Sequence, residues 1–324
     1  MANNFAQIGG QLDALITRLN LSLNEPQPAP ALVYDQFCYI DNSGVGKSGS
    51  ELAQYPIRVT GQRPKTKGDK EQRDFAEPIV WNITCGSKRQ DIWAEEYAAS
   101  ESRDPYGLFK SDAPDAMVAA QIFWQELISD MINANGACYD GSAFFGSHKA
   151  NAAVVNSVDF SNDLAGNTEL DEDGVIAAFD ALQRIPASNG QLANTSIVKP
   201  YILTPTQKLY RRALKLQQDG ALLAKVFGVN TAAAAESSSL QGEFDVILMP
   251  QLYNPAVAAT GKRWYVGNRQ GSKRRPFLVR NTARPRFEID LSRKGSHNVV
   301  QVYCWAEGDV SFCLPHTIVR ATTA

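Results

Sequence analysis

The chain has 324 residues, 44% of them hydrophobic and 20% charged, with a formal net charge of −2. That length can bury a full core and exceeds the size at which a single core stops growing, so two packed regions are expected. The near-neutral balance excludes the strongly basic composition of a dedicated nucleic-acid binder, and no window approaches the roughly 18 consecutive apolar residues of a membrane span. Five scattered cysteines, an odd number, fit reduced thiols in a cytosolic setting better than a disulfide framework. The amino terminus has neither the basic patch nor the apolar run of a signal peptide, so export is not expected either.

At the start of the chain Phe5, Ile8, Leu12, Leu15, Ile16 and Leu19 recur at three- and four-residue steps, which predicts a short amphipathic helix. Its apolar stripe needs a cover. Folding back on its own domain and docking on another chain are both open. The run Glu25-Pro26-Gln27-Pro28-Ala29-Pro30 cannot be helical, because alternate prolines lack amide donors and push the preceding residues to extended geometry; it reads as a hinge. Strand-like pieces follow at 32–40, 55–60 and 79–84, separated by loops rich in Gly, Ser, Lys and Asp, which suits a long exposed hairpin. Residues 61–74 carry too few apolar side chains to bury themselves, so they are either mobile or held by another molecule.

Asp112, Pro114 and Asp115 together mark a helix start, with a cap, a proline in the first turn and an acid at the positive end of the dipole. Met117, Ala120, Trp124, Leu127, Ile128 and Met131 continue it as one stripe to Asn135-Gly136. That is roughly 34 Å of helix. A second helix is expected over 171–185, stopped by Pro186, and a third from Thr204-Pro205 to Gly220, carrying Leu209, Tyr210, Ala213 and Leu214. With a strand over 197–203 these make a compact α+β lobe. The small residues 232–239 read as an exposed tip. From Arg263 onward β character dominates, at 264–267, 276–279, 286–291, 299–305 and 311–314.

Four motifs tempt a chemical reading and each has a plainer one. Val45-Gly46-Lys47-Ser48-Gly49 lacks the first glycine of a phosphate loop, since Asp41 stands at that position, and a flexible loop follows where a helix is required. Glu169, Asp171, Asp173 and Asp180 mimic a calcium loop around Gly174, but the first and last ligand types are exchanged and a charged helix N-terminus explains them. Cys304, Cys313 and His316 supply three zinc-type ligands where a closed site needs four. Cys138 with Asp140 and His148 is the best nucleophile-like cluster, and would require a base within hydrogen-bond reach. No cofactor or metal is expected. Charge is distributed unevenly: residues 262–294 hold eleven Lys or Arg against two acids, whereas 159–180 hold seven acids and no base. The basic strands could contact nucleic acid, but complementary packing between copies of the chain is favoured, because patch and counter-patch then lie on every copy.

The stretch Asp140-Gly141-Ser142-Ala143-Phe144-Phe145-Gly146-Ser147-His148 follows the long helix. After it come Tyr201-Ile202-Leu203-Thr204-Pro205-Thr206, Phe244-Asp245-Val246-Ile247-Leu248, Arg263-Trp264-Tyr265-Val266 and a strand-rich tail ending near Cys313-Leu314-Pro315. In that order and at those spacings the chain resembles the tailed-phage major capsid proteins, and among them the Mu-like major head subunits of Hong Kong ninety-seven type fold. The match is strongest over residues 112–324. The resemblance implies an α+β capsid fold with an N-terminal arm (1–30), an extended loop hairpin (31–85), a peripheral domain with a spine helix (86–136), an axial domain (137–260) and a return to the peripheral sheet (261–324). It implies no catalysis and no cofactor. The partner would be the chain itself, in pentamers and hexamers of an icosahedral shell around double-stranded DNA, with portal, scaffold or decoration proteins beside it. The location would be the virion capsid, and the host cytoplasm during assembly. Interface candidates are Phe5, Leu12 and Leu15 in the arm, Lys65, Lys67 and Lys70 in the loop, and Arg274 and Arg275 in the basic segment. The alternatives are an encapsulin-like nanocompartment shell, which shares the fold, and a thiol-dependent enzyme using the Cys138 region.

Overall fold

Two four-stranded sheets divide the burial of the apolar residues, and one long helix serves both. The computed structural model describes residues 2–24, 32–42, 53–58, 80–99, 105–138, 140–149, 159–164, 166, 168–186, 192–194, 197, 200–218, 240, 242–269, 275–294 and 297–324. In chain order the elements are α1 (Ala2–Asn24), β1 (Cys38–Asp41), β2 (Ala53–Arg58), β3 (Val80–Cys85), β4 (Lys88–Ala99), α2 (Pro105–Ala134), β5 (Ser147–Lys149) and β6 (Asp159–Ser161). They continue with α3 (Glu172–Arg184), β7 (Tyr201–Thr204), α4 (Gln207–Gln217), β8 (Asp245–Leu248), β9 (Arg263–Gly267), β10 (Phe277–Lys294), β11 (His297–Phe312) and β12 (Ile318–Thr322).

The first sheet runs β1-β10-β11-β4. Along β11 the side chains alternate as a half-buried strand should: Val300, Val302 and Cys304 are buried, while Gln301 and Tyr303 between them are partly exposed. The buried set meets α1 and the first half of α2, where Leu12, Ile16, Phe109, Ala113, Ala116 and Ala120 close one core. The expected strands at 276–279 and 286–291 are one strand, β10, with two irregularities between Asn281 and Arg286; those at 299–305 and 311–314 fuse as β11. Strand β4, the sheet's other edge, has no counterpart in the sequence reading. Its alternation is blurred because Asp91, Glu95 and Glu96 are exposed.

The second sheet runs β12-β9-β7-β8. All four residues of β7 are buried, since it is covered on both faces. Ile202, Val266, Val319 and Ala321 meet α3 and α4 on one face. Tyr201, Leu203, Tyr265 and Ile318 join Trp124, Ile128 and Ile132 from the second half of α2 in the cluster on the other. Phe277, Val279, Ala306 and Phe312 of the first sheet close that same cluster. The helix α2 is therefore a shared spine, its first half on one sheet and its second half between the two.

Three expectations need correction. The spine begins at Pro105, not near Asp112, and Pro114 lies inside it. A proline at a first helical position does open the helix, but it is Pro105. Asp112 accepts a 2.7 Å hydrogen bond from the Tyr97 hydroxyl instead of capping, and burial together with this bond pushes the Tyr97 hydroxyl upward. The segment 261–324 does not return wholly to the first sheet, because β9 pairs with β7 and β12 pairs with β9. Finally, β1 belongs to the first sheet through its parallel pairing with β10 and not to the β2–β3 hairpin.

Candidate junction and assembly surfaces

The segment after the spine helix is built as a junction between the two sheets. Asn135, at φ 47°, is the non-glycine residue in the left-handed region among those described, a conformation asparagine tolerates at a helix C-terminus. Its side chain is spent twice on one residue: Oδ1 accepts from the Phe145 amide at 2.7 Å and Nδ2 donates to the Phe145 carbonyl at 3.1 Å. The helix stop is thereby a clamp on the motif ten residues later. Asp140 Oδ1 accepts from the Ser142 amide at 3.0 Å, closing a turn of the kind aspartate favours. Its Oδ2 lies 2.7 Å from His148 Nδ1, and His148 Nε2 lies 2.9 Å from the Phe144 carbonyl. The His148 side chain is fully buried and stacks on Phe160.

This polar frame fixes two neighbouring rings that go separate ways. Phe144 stacks on Phe312, with centroids 4.5 Å apart, and sits 5.3 Å from Phe277, both in the first sheet. Phe145 faces Tyr265 of the second sheet at 5.3 Å, with the Arg320 guanidinium 4.9 Å from its centroid. Asn162 ties the arrangement together. Its Nδ2 donates to the carbonyls of Phe144 and Pro315, its Oδ1 accepts from the Gly146 amide, and its own carbonyl accepts from the Arg320 amide. Arg320 in turn grips Asp163 with two hydrogen bonds of 2.9 and 2.6 Å. Asn162 and Arg320 were not singled out in the sequence. The acidic run around Asp163 was the nearest signal, and its partner lies 157 residues away.

The cluster around Cys138 has the geometry of a brace and not of an activated thiol, because both ring nitrogens of His148 are engaged, with Asp140 and the Phe144 carbonyl. Cys304 and Cys313 fall in separate buried clusters. The calcium-like acids have other work: Asp171 caps α3 through the Gly174 amide, Glu169 pairs with Arg212 and accepts from the Ala324 amide, and Asp180 pairs with Arg184. The phosphate-loop-like run at 45–49 lies outside the described residues. Burial pushes the thiols of Cys85, Cys304 and Cys313 from 9.0 up to about 12, and raises Cys38 as well. An unfolded chain would release these protons near 9.0, while the folded chain holds them to about 12. The unfolded state thus binds fewer protons in that window, and stability is complete below it and falls as pH rises through it. We expect the melting temperature to drop progressively above about pH 9; a flat profile there in calorimetry would contradict the burial of these thiols.

Of the interface candidates, Leu12 is fully buried in the chain's own core with Ile16, so its side chain is covered by its own domain and not offered to a neighbour. Leu15 is half-buried at the edge of the same cluster. Asn20 secures the helix by bonding both the amide and the carbonyl of Phe287, at 2.7 and 3.0 Å. Phe5 lies in α1, but its side chain is outside the described set, as are Lys65, Lys67, Lys70 and Arg274. Arg275 is partly buried near Tyr201 and Cys38, and desolvation lowers its pKa.

Three members of the basic run are taken up within the fold. Arg269 is bound by Gln36 and Asp245, and buried Arg280 donates to the Cys85 carbonyl. Arg286 pairs with Glu288 and lies 3.9 Å over the Trp305 ring, with Arg89 4.6 Å from the same ring. Around this stack the outer face of the first sheet also carries Asp91, Glu96 and Glu288. It is mixed in sign and a poor match to a phosphate backbone.

No protein-family profile matches the chain, and no curated protein sequence matches it. Solved structures do. The capsid asymmetric unit of cyanophage Pam1 superimposes with a TM-score of 0.52 at 13% identity, covering 93% of this chain and 96% of that one. The capsid of Ralstonia phage GP4 superimposes with a TM-score of 0.50 at 13% identity, again over 93% and 96% of the two chains. At such low identity the likeness is one of fold.

Proposed function

We propose that this chain, which has the phage capsid fold, is a major capsid protein that assembles in many copies into the icosahedral shell of a tailed phage or prophage. The observation that carries the reading is the end-to-end fold match, with 93% of this chain and 96% of two phage capsid chains superimposed and no large domain left over on either side. The site chemistry agrees with it. The residues that looked most catalytic brace two lobes against a common spine, and the described cysteines are buried. The work is mechanical and involves no turnover of a substrate. A rigid spine fixes local geometry while many modest contacts between copies act together; each standard interface buries about 800 Å² per partner. The packaged content would be double-stranded DNA, held by weak nonspecific contact, with portal, scaffold or decoration proteins as further partners. The location would be the virion, and the host cytoplasm during assembly. Expression of the chain alone and with its neighbouring genes, followed by negative-stain microscopy and size-exclusion chromatography, tests this. Closed particles or capsomer rings are expected. A persistent monomer or dimer in both conditions across a range of salt overturns it. Particles that carry a cargo protein and no nucleic acid would instead support an encapsulin-like nanocompartment.

A further inference from the structure

We propose that helices α3 and α4 form the two halves of one repeating contact, the acidic stripe of α3 on one copy docking against the basic stripe of α4 on the next. The proposal rests on the shell reading above and specifies which surfaces pair.

Helix α4 has one exposed face, and that face is basic. Lys208, Arg211 and Lys215 are exposed at spacings of three and four residues, which places them on one side, while Leu209 and Ala213 are buried on the other. The helix contains no acid. Arg212 beside the stripe is already paired with Glu169, but Arg211 and Lys215 make no ion pair among the described residues. Like charges at this spacing weaken a helix, and Glu169, which is near Lys208, offsets this at only one end of the stripe. Helix α3 is the opposite case. Asp173, Ile176, Ala177 and Asp180 are exposed at helical spacing, with Asp171 at the cap and no base before Arg184 in the last turn, whose exposed guanidinium pairs with Asp180 at 3.2 Å. Ile176 is 41% exposed in the middle of that stripe.

The two helices cover the same face of the second sheet at different ends. α3 packs on β12 and β9, and α4 packs on β7 and β8, in a sheet ordered β12-β9-β7-β8. One lobe therefore presents an acidic helix over one half and a basic helix over the other. A patch and a different counter-patch on the same chain make a head-to-tail contact, and such contacts close into rings when the rotation between copies permits. Opposite signs give register and speed of encounter. Ile176 supplies an apolar centre against which the alkyl stems of the lysines and arginine can lie. A nucleic-acid partner fits less well, because it would use α4 alone and leave the α3 stripe, with its exposed isoleucine, without a role.

The test reverses each side separately. One variant carries Lys208→Glu, Arg211→Glu and Lys215→Glu; the other carries Asp173→Lys and Asp180→Lys; circular dichroism and melting confirm that each is folded. Each alone should lower the assembled fraction about tenfold at physiological salt, since several contacts per copy are lost together. An equimolar mixture of the two should regain it, because the acidic α4 of one now meets the basic α3 of the other. The five-site variant carrying both reversals should regain it as well. Sedimentation velocity of the mixture reads this pairing even if no shell closes, which separates this proposal from the shell reading. Reversals that assemble like the parent chain overturn the proposal. So does an α4 defect that neither the mixture nor the five-site variant relieves, above all one that tracks loss of DNA binding.

Discussion

Gly308→Ala should lower the stability of the folded chain by about 4 kcal/mol or more, adding overpacking to backbone strain. Gly308 sits in β11 opposite Asn281, where the hairpin with β10 becomes irregular. Its φ is 158°, at the edge of the region side chains avoid, and a Cβ there would come within 2.1 Å of the Arg280 carbonyl oxygen and 2.6 Å of the Trp124 ring. A backbone oxygen on one side and a buried tryptophan of the spine on the other leave nothing that can swing away. The strand must separate from β10 or the spine must lift from the sheet. Gly10→Ala is the matched control. A Cβ there meets no atom within 4 Å, it lies in the middle of α1, and removing a glycine from a helix interior should add up to about 1 kcal/mol. Urea unfolding of the three proteins distinguishes the cases, and equal midpoints for Gly308→Ala and the parent would mean that β11 does not pass this close to the spine.

The same position shows where the sequence stops being readable. The periods of apolar residues along the two long β-strands are visible, but the stretch 306–310 around Gly308 falls between two expected strands, because a local pattern does not reveal that a neighbouring carbonyl occupies the place of the Gly308 side chain. The spine helix illustrates a second limit. Its apolar stripe from Met117 to Met131 was legible, whereas the first two turns were not, because Pro114 resembles a start and only the burial of Phe109 against Trp93 and Tyr97 shows that the helix runs through it. Caps were more reliable: Asp171 does cap α3 through the Gly174 amide, and Thr206 caps α4 one residue beyond the expected Pro205. The assignment of β9 and β12 to the second sheet depends on pairing partners far away in the chain, which period and composition do not encode. Of the candidate junction, Asp140, Phe144 and His148 stood out in the sequence. Asn162 and Arg320 did not, since their roles exist only through bonds to main-chain atoms of distant segments. The charge argument moved in the same way. Of the basic run 262–294, conspicuous in sequence, Arg269, Arg280 and Arg286 are bound within the fold, while the shorter stripe on α4 stays outward.

Asp140→Ala should cost about 3 kcal/mol and Asp140→Asn much less, and the difference reports how the buried pair with His148 is wired. The Phe144 carbonyl can only accept, so His148 Nε2 must carry a hydrogen for the 2.9 Å contact to be a bond. Nδ1 can then serve as donor to a carboxylate or as acceptor from a donor. An asparagine at 140 can still offer its oxygen to the Ser142 amide and its amide nitrogen to Nδ1, so both bonds survive with a neutral ring. Alanine leaves the Ser142 amide and the imidazole nitrogen without these partners, and water does not reach the imidazole, since His148 is 1% exposed. The loss should be local at first. Phe144 is held through its carbonyl by His148 and Asn162 and through its ring by Phe312, so hydrogen exchange should quicken at 140–148 and along the end of β11 before α3 or α4 is affected. A double-mutant cycle of Asp140→Ala with His148→Ala should give a coupling above 1 kcal/mol. Additive costs, or equal loss for alanine and asparagine, would mean that the pair does not hold the motif. The link between the spine and the two sheets would then rest on Phe144 and Phe145 packing alone.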